Sequence, residues 1–287
     1  VIGALCFSLL LEPFSYFRLI QVIQGSALVV AGLNIVAMWQ MEPRRPDLTS
    51  FELSRPTFGQ SWRALSANPG AHRLLIAVAL GTLGFSMQEI LLEPYGAEVL
   101  AMSVGQTTRL TAIFAGGMLI AMALSARYLG RAGEPIRLAA YGAVVGVFAF
   151  AAVIMAGAFD SLTLFAAGTL LIGIGNGLFA VGTLTAAMLL AGKATAGLVI
   201  GTWGAVQAMA AGCAIFLGGA LRDMTEALIH SGTISQHLSG PATPYGAVYH
   251  LEIIILFASL VALGPLVRRL GNDKDQPLTM KLADFPS

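Results

Sequence analysis

Apolar residues run along this chain in blocks of about 20, separated by short polar breaks, without the period-two alternation of membrane strands. A block of that length matches a helix crossing a hydrocarbon layer roughly 30 Å thick. The pattern predicts complete spans near 18–41, 73–95, 105–128, 136–158, 161–190, 196–220 and 248–267, with a partial one over 1–13. The opening VIGALCFSLLLEPF has no initiating Met and no basic leader, so it reads as the tail of a helix in a longer protein. The stretch MEPRRPDLTSFELSRP begins a linker over 42–72, with a short amphipathic helix expected at 58–67. The expected organisation is therefore the end of a first helical bundle (1–41), a linker (42–72), a second bundle of six helices (73–270) and a polar tail (271–287).

Composition agrees: the chain is 56% hydrophobic and 11% charged, with a mean hydropathy of +0.79, the signature of an all-α membrane protein. Charge then orients it. Arg44, Arg45, Arg55, Arg63, Arg73, Arg127, Arg131, Arg137, Lys193, Arg268, Arg269, Lys274 and Lys281 fall on one side of the predicted spans, against Arg18, Arg109 and Arg222 on the other. The positive-inside rule puts the first side, with the linker and the C-terminus, in the cytoplasm. Glu12, Glu89, Glu93, Glu98, Asp160, Asp223, Glu226 and Glu252 gather at or toward the outer side. Cys6 and Cys213 both lie in apolar helix and read as small core residues rather than a disulfide.

Candidate chemistry is sparse. GIGNGLFA at 173–180 contains G-x-G-x-x-A, but it sits inside an apolar helix with no preceding strand, so no nucleotide is expected there. Close helix packing through Gly173 and Gly177 is the better reading, repeated at Gly197, Gly201 and Ala205 and at Gly204, Ala208 and Gly212. Such small residues also leave flat walls for a planar ligand. No catalytic constellation, metal cluster or nucleic-acid-binding patch stands out. His72, His230, His237 and His250 are scattered, and only His250, close to Glu252 in the last span, suggests a ligand to a metal or to the magnesium of a pigment.

The segment GFSMQEILLEPYGAEVL at 84–100 carries Gln88, Glu89 and Glu93 in an otherwise apolar span. Read as continuous helix from Arg73, it places Glu89 about 24 Å and Glu93 about 30 Å along the axis, on one face. Ionisable groups at such depth are functional candidates, whereas Pro94 argues that they only mark the end of a span. L-L-E-P-aromatic occurs twice, at 10–14 and 91–95. Phe14 and Tyr95 are thus expected in an interfacial rim, and Glu12 and Glu93 at one cavity or partner. Trp203 and Gln207, four apart, and Asn176 add a few polar groups to an apolar groove suited to a hydrophobic ligand.

Three stretches, GFSMQEILLEPYGAEVL, GLVIGTWGAVQAMAAGCAIFLGGALRD and YGAVYHLEIIILFASL, resemble the bacteriochlorophyll-delivery branch of the major facilitator superfamily, the light-harvesting complex assembly proteins of the PucC and LhaA type. ARYLGRAGEPIR fits the loop signature of that superfamily loosely, through Arg127, Gly130 and Arg131. The resemblance runs from residue 1 to about 270. It implies a twelve-helix fold whose early helices are absent here, and an intracytoplasmic photosynthetic membrane as the location. It also implies a non-enzymatic role in delivering bacteriochlorophyll to antenna α and β polypeptides, with membrane lipids and the reaction-centre complex as further partners. Carried over by position, its motif residues are Gln88, Glu89, Glu93, Pro94, Tyr95, Trp203, Gln207, Arg222, Asp223 and Glu252. The competing expectations are a proton-coupled exporter with Glu89 as its relay and a structural subunit beside an antenna ring.

Overall fold

The computed structural model describes residues 7, 15–39, 59, 62–63, 69–191, 196–232 and 240–272. Seven stretches among them are long and apolar enough to cross a membrane, so the chain is an all-helical, multi-pass membrane protein. Helix α1 covers Tyr16–Trp39 and has no buried residue among its described side chains. The next span, Pro69–Glu98, is interrupted: α2 (Pro69–Ser86) gives way to a 3-10 turn at Met87–Ile90 before α3 (Leu92–Glu98). Then follow α4 (Val104–Gly130), α5 (Pro135–Ala158), α6 (Leu162–Leu190), α7 (Ala196–His230) and α8 (Thr243–Asn272). The partial span expected over 1–13 lies outside the described residues except for Phe7, which is helical. So does most of the amphipathic helix expected at 58–67, where Gly59, Trp62 and Arg63 are helical.

Local chemistry sets the starts. Ser103 caps α4 with a full capping box, its amide donating to Gln106 Oε1 at 2.8 Å and its hydroxyl accepting from the Gln106 amide at 3.4 Å. Ser161 caps α6, and Pro135 opens α5 where a missing N–H costs nothing. The largest differences from the sequence expectation are in α7 and α8. Helix α7 continues ten residues past 220, because Arg222 and Glu226 pair across one turn at 2.8 Å and Thr225 is buried. Helix α8 begins at Thr243, with Pro244 in its first turn.

Packing follows the small residues. Helix α6 lies against α4 and α5, while α8 packs on α2, α5 and α7. A Cβ at Gly173 would sit 2.1 Å from the Phe114 carbonyl oxygen, and one at Gly177 would sit 2.5 Å from the Ala121 Cβ. The expected close packing there is real. The parallel expectation for α7 is not met: Gly197, Gly201, Gly204 and Gly212 have nothing within 4 Å, and Ala205 and Ala208 are exposed. The stripe faces outward among the described residues.

Candidate functional site

The interruption in the α2–α3 span has a local cause. Pro94 has no N–H for the Ile90 carbonyl, and its ring clashes with that carbonyl in a continuous helix, so the chain tightens into 3-10 turns and restarts with Pro94 inside the first turn of α3. Pro94 therefore begins a helix rather than ending one. A regular i, i+4 face carrying both Glu89 and Glu93 does not exist. Both are exposed, and Glu93 Oε1 accepts a 2.7 Å hydrogen bond from the Thr111 hydroxyl.

A break inside a membrane span frees backbone amides that must find partners within the protein. Glu252 of α8 supplies one. Its side chain is completely buried, and Oε1 accepts the Gln88 amide proton at 2.7 Å. Gln88, also buried, donates from Nε2 to the Phe85 carbonyl at 3.3 Å, within the same turn. Glu252 Oε2, Gln88 Oε1 and the Tyr249 hydroxyl are buried without a partner among the described residues. The turn is seated closely on its other side, where a Cβ at Gly218 of α7 would lie 2.9 Å from the Met87 carbonyl oxygen. Helix α8 also holds α2 directly through the Ser259 hydroxyl, which donates to the Ala77 carbonyl at 3.1 Å.

Outward from this pin lies an aromatic cluster. Tyr95 contacts the rings of Phe165, Tyr245 and Tyr249 at centroid distances of 5.3, 5.4 and 5.5 Å, two of them edge-on. Its hydroxyl donates to the Val153 carbonyl at 3.4 Å. Tyr95 is thus buried among helices and is not the interfacial rim residue expected from the repeat. Phe14, its expected partner in that rim, and Glu12, the expected partner of Glu93, lie outside the described residues.

At the end of the bundle Arg222 clasps three elements. It reaches Glu98 of α3 at 3.3 Å and its own neighbours Asp223 and Glu226 at 3.1 and 2.8 Å. Its guanidinium stands 5.3 Å from the centre of the Tyr245 ring, and the Tyr245 hydroxyl donates to Glu98 Oε2 at 2.5 Å. Asp223 is largely exposed. The remaining candidates stand apart from pin and clasp. Trp203 donates from Nε1 to the Thr183 hydroxyl at 3.3 Å, and Gln207 and Asn176 are half-buried. His250 and Glu252, two residues apart, point to nearly opposite sides of α8, one exposed and one buried, so they cannot share a metal.

Gln88, Pro94, Tyr95 and Glu252 are therefore brought together around the break, with Arg222 and Asp223 at the adjoining end; Glu89 lies in the turn itself with its side chain exposed, and Asn176, Gln207 and His250 stand apart. Tyr245, Tyr249 and Glu98 complete these contacts and are not among the site residues expected from the sequence. The signal existed: Tyr245, Tyr249, Glu252 and Ser259 recur at helical spacing in an apolar span, a polar stripe aimed inward. Such an arrangement can pin helices, hold a polar head group at the clasp, or carry a proton at Glu252.

Comparison with known proteins adds ancestry. The chain is 45% identical over 268 residues to "Protein PucC" of Cereibacter sphaeroides, covering 93% of this chain and 57% of that protein. It is also 45% identical over 291 aligned positions to the "Uncharacterized protein in puhA-bchM intergenic region" of Rhodobacter capsulatus, covering 100% of this chain and 61% of the relative. A more distant relative, the "Bacteriochlorophyll synthase 44.5 kDa chain" of Rhodobacter capsulatus, is 28% identical over 270 residues, covering 90% of this chain and 59% of that protein. The chain thus spans less than two thirds of the length of these relatives. The family model described as "PUCC protein" matches residues 1–271, and the chain belongs to the PucC protein family.

Proposed function

We propose that this protein is a non-enzymatic assembly factor for photosynthetic light-harvesting complexes that delivers bacteriochlorophyll to antenna α and β polypeptides within the membrane. Family membership over residues 1–271 carries the reading. The relative whose name refers to bacteriochlorophyll synthase favours the same pigment. An apolar bundle with few polar groups suits a tetrapyrrole with a prenyl tail better than a sugar or an amino acid.

In this reading the bundle after the linker is the second half of a major facilitator fold. It sits in the intracytoplasmic photosynthetic membrane, with 42–72 and the C-terminus in the cytoplasm. The Glu252 pin and the Arg222 clasp fix the spacing of α2, α3, α7 and α8, and the exposed α7 stripe and Glu89 offer contact surface to antenna helices or the reaction-centre complex. The experiment is an absorption spectrum and protein inventory of the protein purified in mild detergent from a pigment-producing host. Bound bacteriochlorophyll with substoichiometric antenna polypeptides is the expected result. A colourless preparation without antenna polypeptides would overturn the reading, and stoichiometric recovery with mature rings would favour a structural subunit.

One observation supports a second reading, a proton-coupled exporter of a hydrophobic molecule. Glu252, a carboxyl sealed inside a span at a helix break, is where a proton relay would be sought, rather than the exposed Glu89. Flux in proteoliposomes that follows a pH gradient and vanishes in Glu252→Gln would establish it.

A further inference from the structure

The His250 ring is fixed by its own helix. Its Nδ1 lies 2.6 Å from the Gly246 carbonyl oxygen, one turn earlier. A carbonyl can only accept, so Nδ1 carries a proton, and in the neutral ring Nε2 is then left with a bare lone pair. Metal-ligating histidines are commonly oriented this way, the second ring nitrogen donating to a backbone carbonyl.

The surroundings of His250 set it apart. It lies about 10 Å along α8 from Thr243, two turns inside the helix rather than at its end. Ile254, Phe257 and Val261 continue the same face at four-, seven- and eleven-residue spacing and are 63%, 54% and 76% exposed. His250 thus heads an apolar strip on the outside of the bundle. His230 makes the matching bond, Nδ1 to the Glu226 carbonyl at 2.9 Å, but it is the last residue of α7, followed by Ser231 and Gly232. The two histidines share a tautomer and differ in their setting.

Among the described residues no three His, Cys, Asp or Glu side chains come together to hold a bare metal ion. A magnesium tetrapyrrole needs no such cluster, because its ring supplies four nitrogens and leaves one axial position for a single imidazole. We infer that His250 Nε2 is the axial ligand of a magnesium tetrapyrrole carried on the outer face of α8, with Ile254, Phe257 and Val261 against its hydrocarbon. This rests on the pigment-delivery reading and adds the ligating atom and the face. A pigment held there is reached sideways from the bilayer, without passing through the bundle.

The test uses bacteriochlorophyll a with the purified protein in detergent, comparing wild type with His250→Leu, His250→Gly and His230→Leu by absorption and by resonance Raman bands that report magnesium coordination. Retention falls about tenfold or more in His250→Leu and stays at the wild-type level in His230→Leu. Added imidazole restores five-coordinate magnesium in His250→Gly, a rescue that a structural role for the ring would not give. Pigment kept by His250→Leu with unchanged coordination, or lost equally from His230→Leu, overturns the ligand and leaves pigment delivery standing. A wild-type protein that binds no bacteriochlorophyll overturns both.

Discussion

Glu252 shows how one residue can reconcile a broken helix with a membrane interior. A buried amide without a partner costs roughly 1–3 kcal/mol, and in hydrocarbon no water is available to replace the lost bond. The Glu252 Oε1 bond to the Gln88 amide meets that need for a group that Pro94 and the 3-10 turn take out of the helical ladder. Glu252→Gln keeps a carbonyl oxygen at that site and alters only the side carrying the unpartnered Oε2, so its thermal unfolding in detergent should stay close to wild type. Glu252→Leu removes the acceptor, and its midpoint should fall by an amount equivalent to about 1–3 kcal/mol. Equal melting of the two variants would show that the pin does not hold the break.

At the scale of elements, the glycines of α6 and α7 look alike in sequence and differ in the fold. Gly173 faces the Phe114 backbone at a distance no side chain tolerates, whereas Gly201 faces open space. Gly173→Ala should therefore destabilise by about 1–3 kcal/mol through overpacking. Gly201→Ala should leave the isolated protein unchanged or more stable by about 0.5–1 kcal/mol, since alanine suits a helix interior better than glycine. Paired melting curves decide this; a Gly201→Ala variant as damaged as Gly173→Ala would mean that the α7 stripe is packed. Sequence could place both stripes on helices but not choose between them, because small-residue spacing records that close approach is allowed, not that a neighbour is present. The end of α7 was hidden for a related reason. Its last turns are held by Arg222 pairing with Glu98 and Glu226 and by the Tyr245 ring, contacts that a hydropathy window does not register.

For the whole molecule, the fold puts Arg131, just after α4, and Ser231, just after α7, at opposite ends of the bundle, and the positive-inside rule assigns the first to the cytoplasm. In a background without Cys6 and Cys213, a membrane-impermeant maleimide should label Ser231→Cys in intact cells and Arg131→Cys only after permeabilisation. The reverse pattern would invert the topology and move the clasp, the aromatic cluster and His250 to the cytoplasmic half.

The sequence by itself determined that this is a multi-pass helical membrane protein, where most of its spans lie and which residues are chemically unusual. Those properties follow from length and polarity, which a hydrocarbon layer reads directly. Only the tertiary structure decided the roles. Glu89, conspicuous in sequence, is exposed, while Glu252 is the buried partner of the break. Tyr95 belongs to a core cluster and not to a rim. Burial and hydrogen-bond partners depend on which helices meet, and that is settled by contacts between residues as far apart in the chain as Gln88 and Glu252.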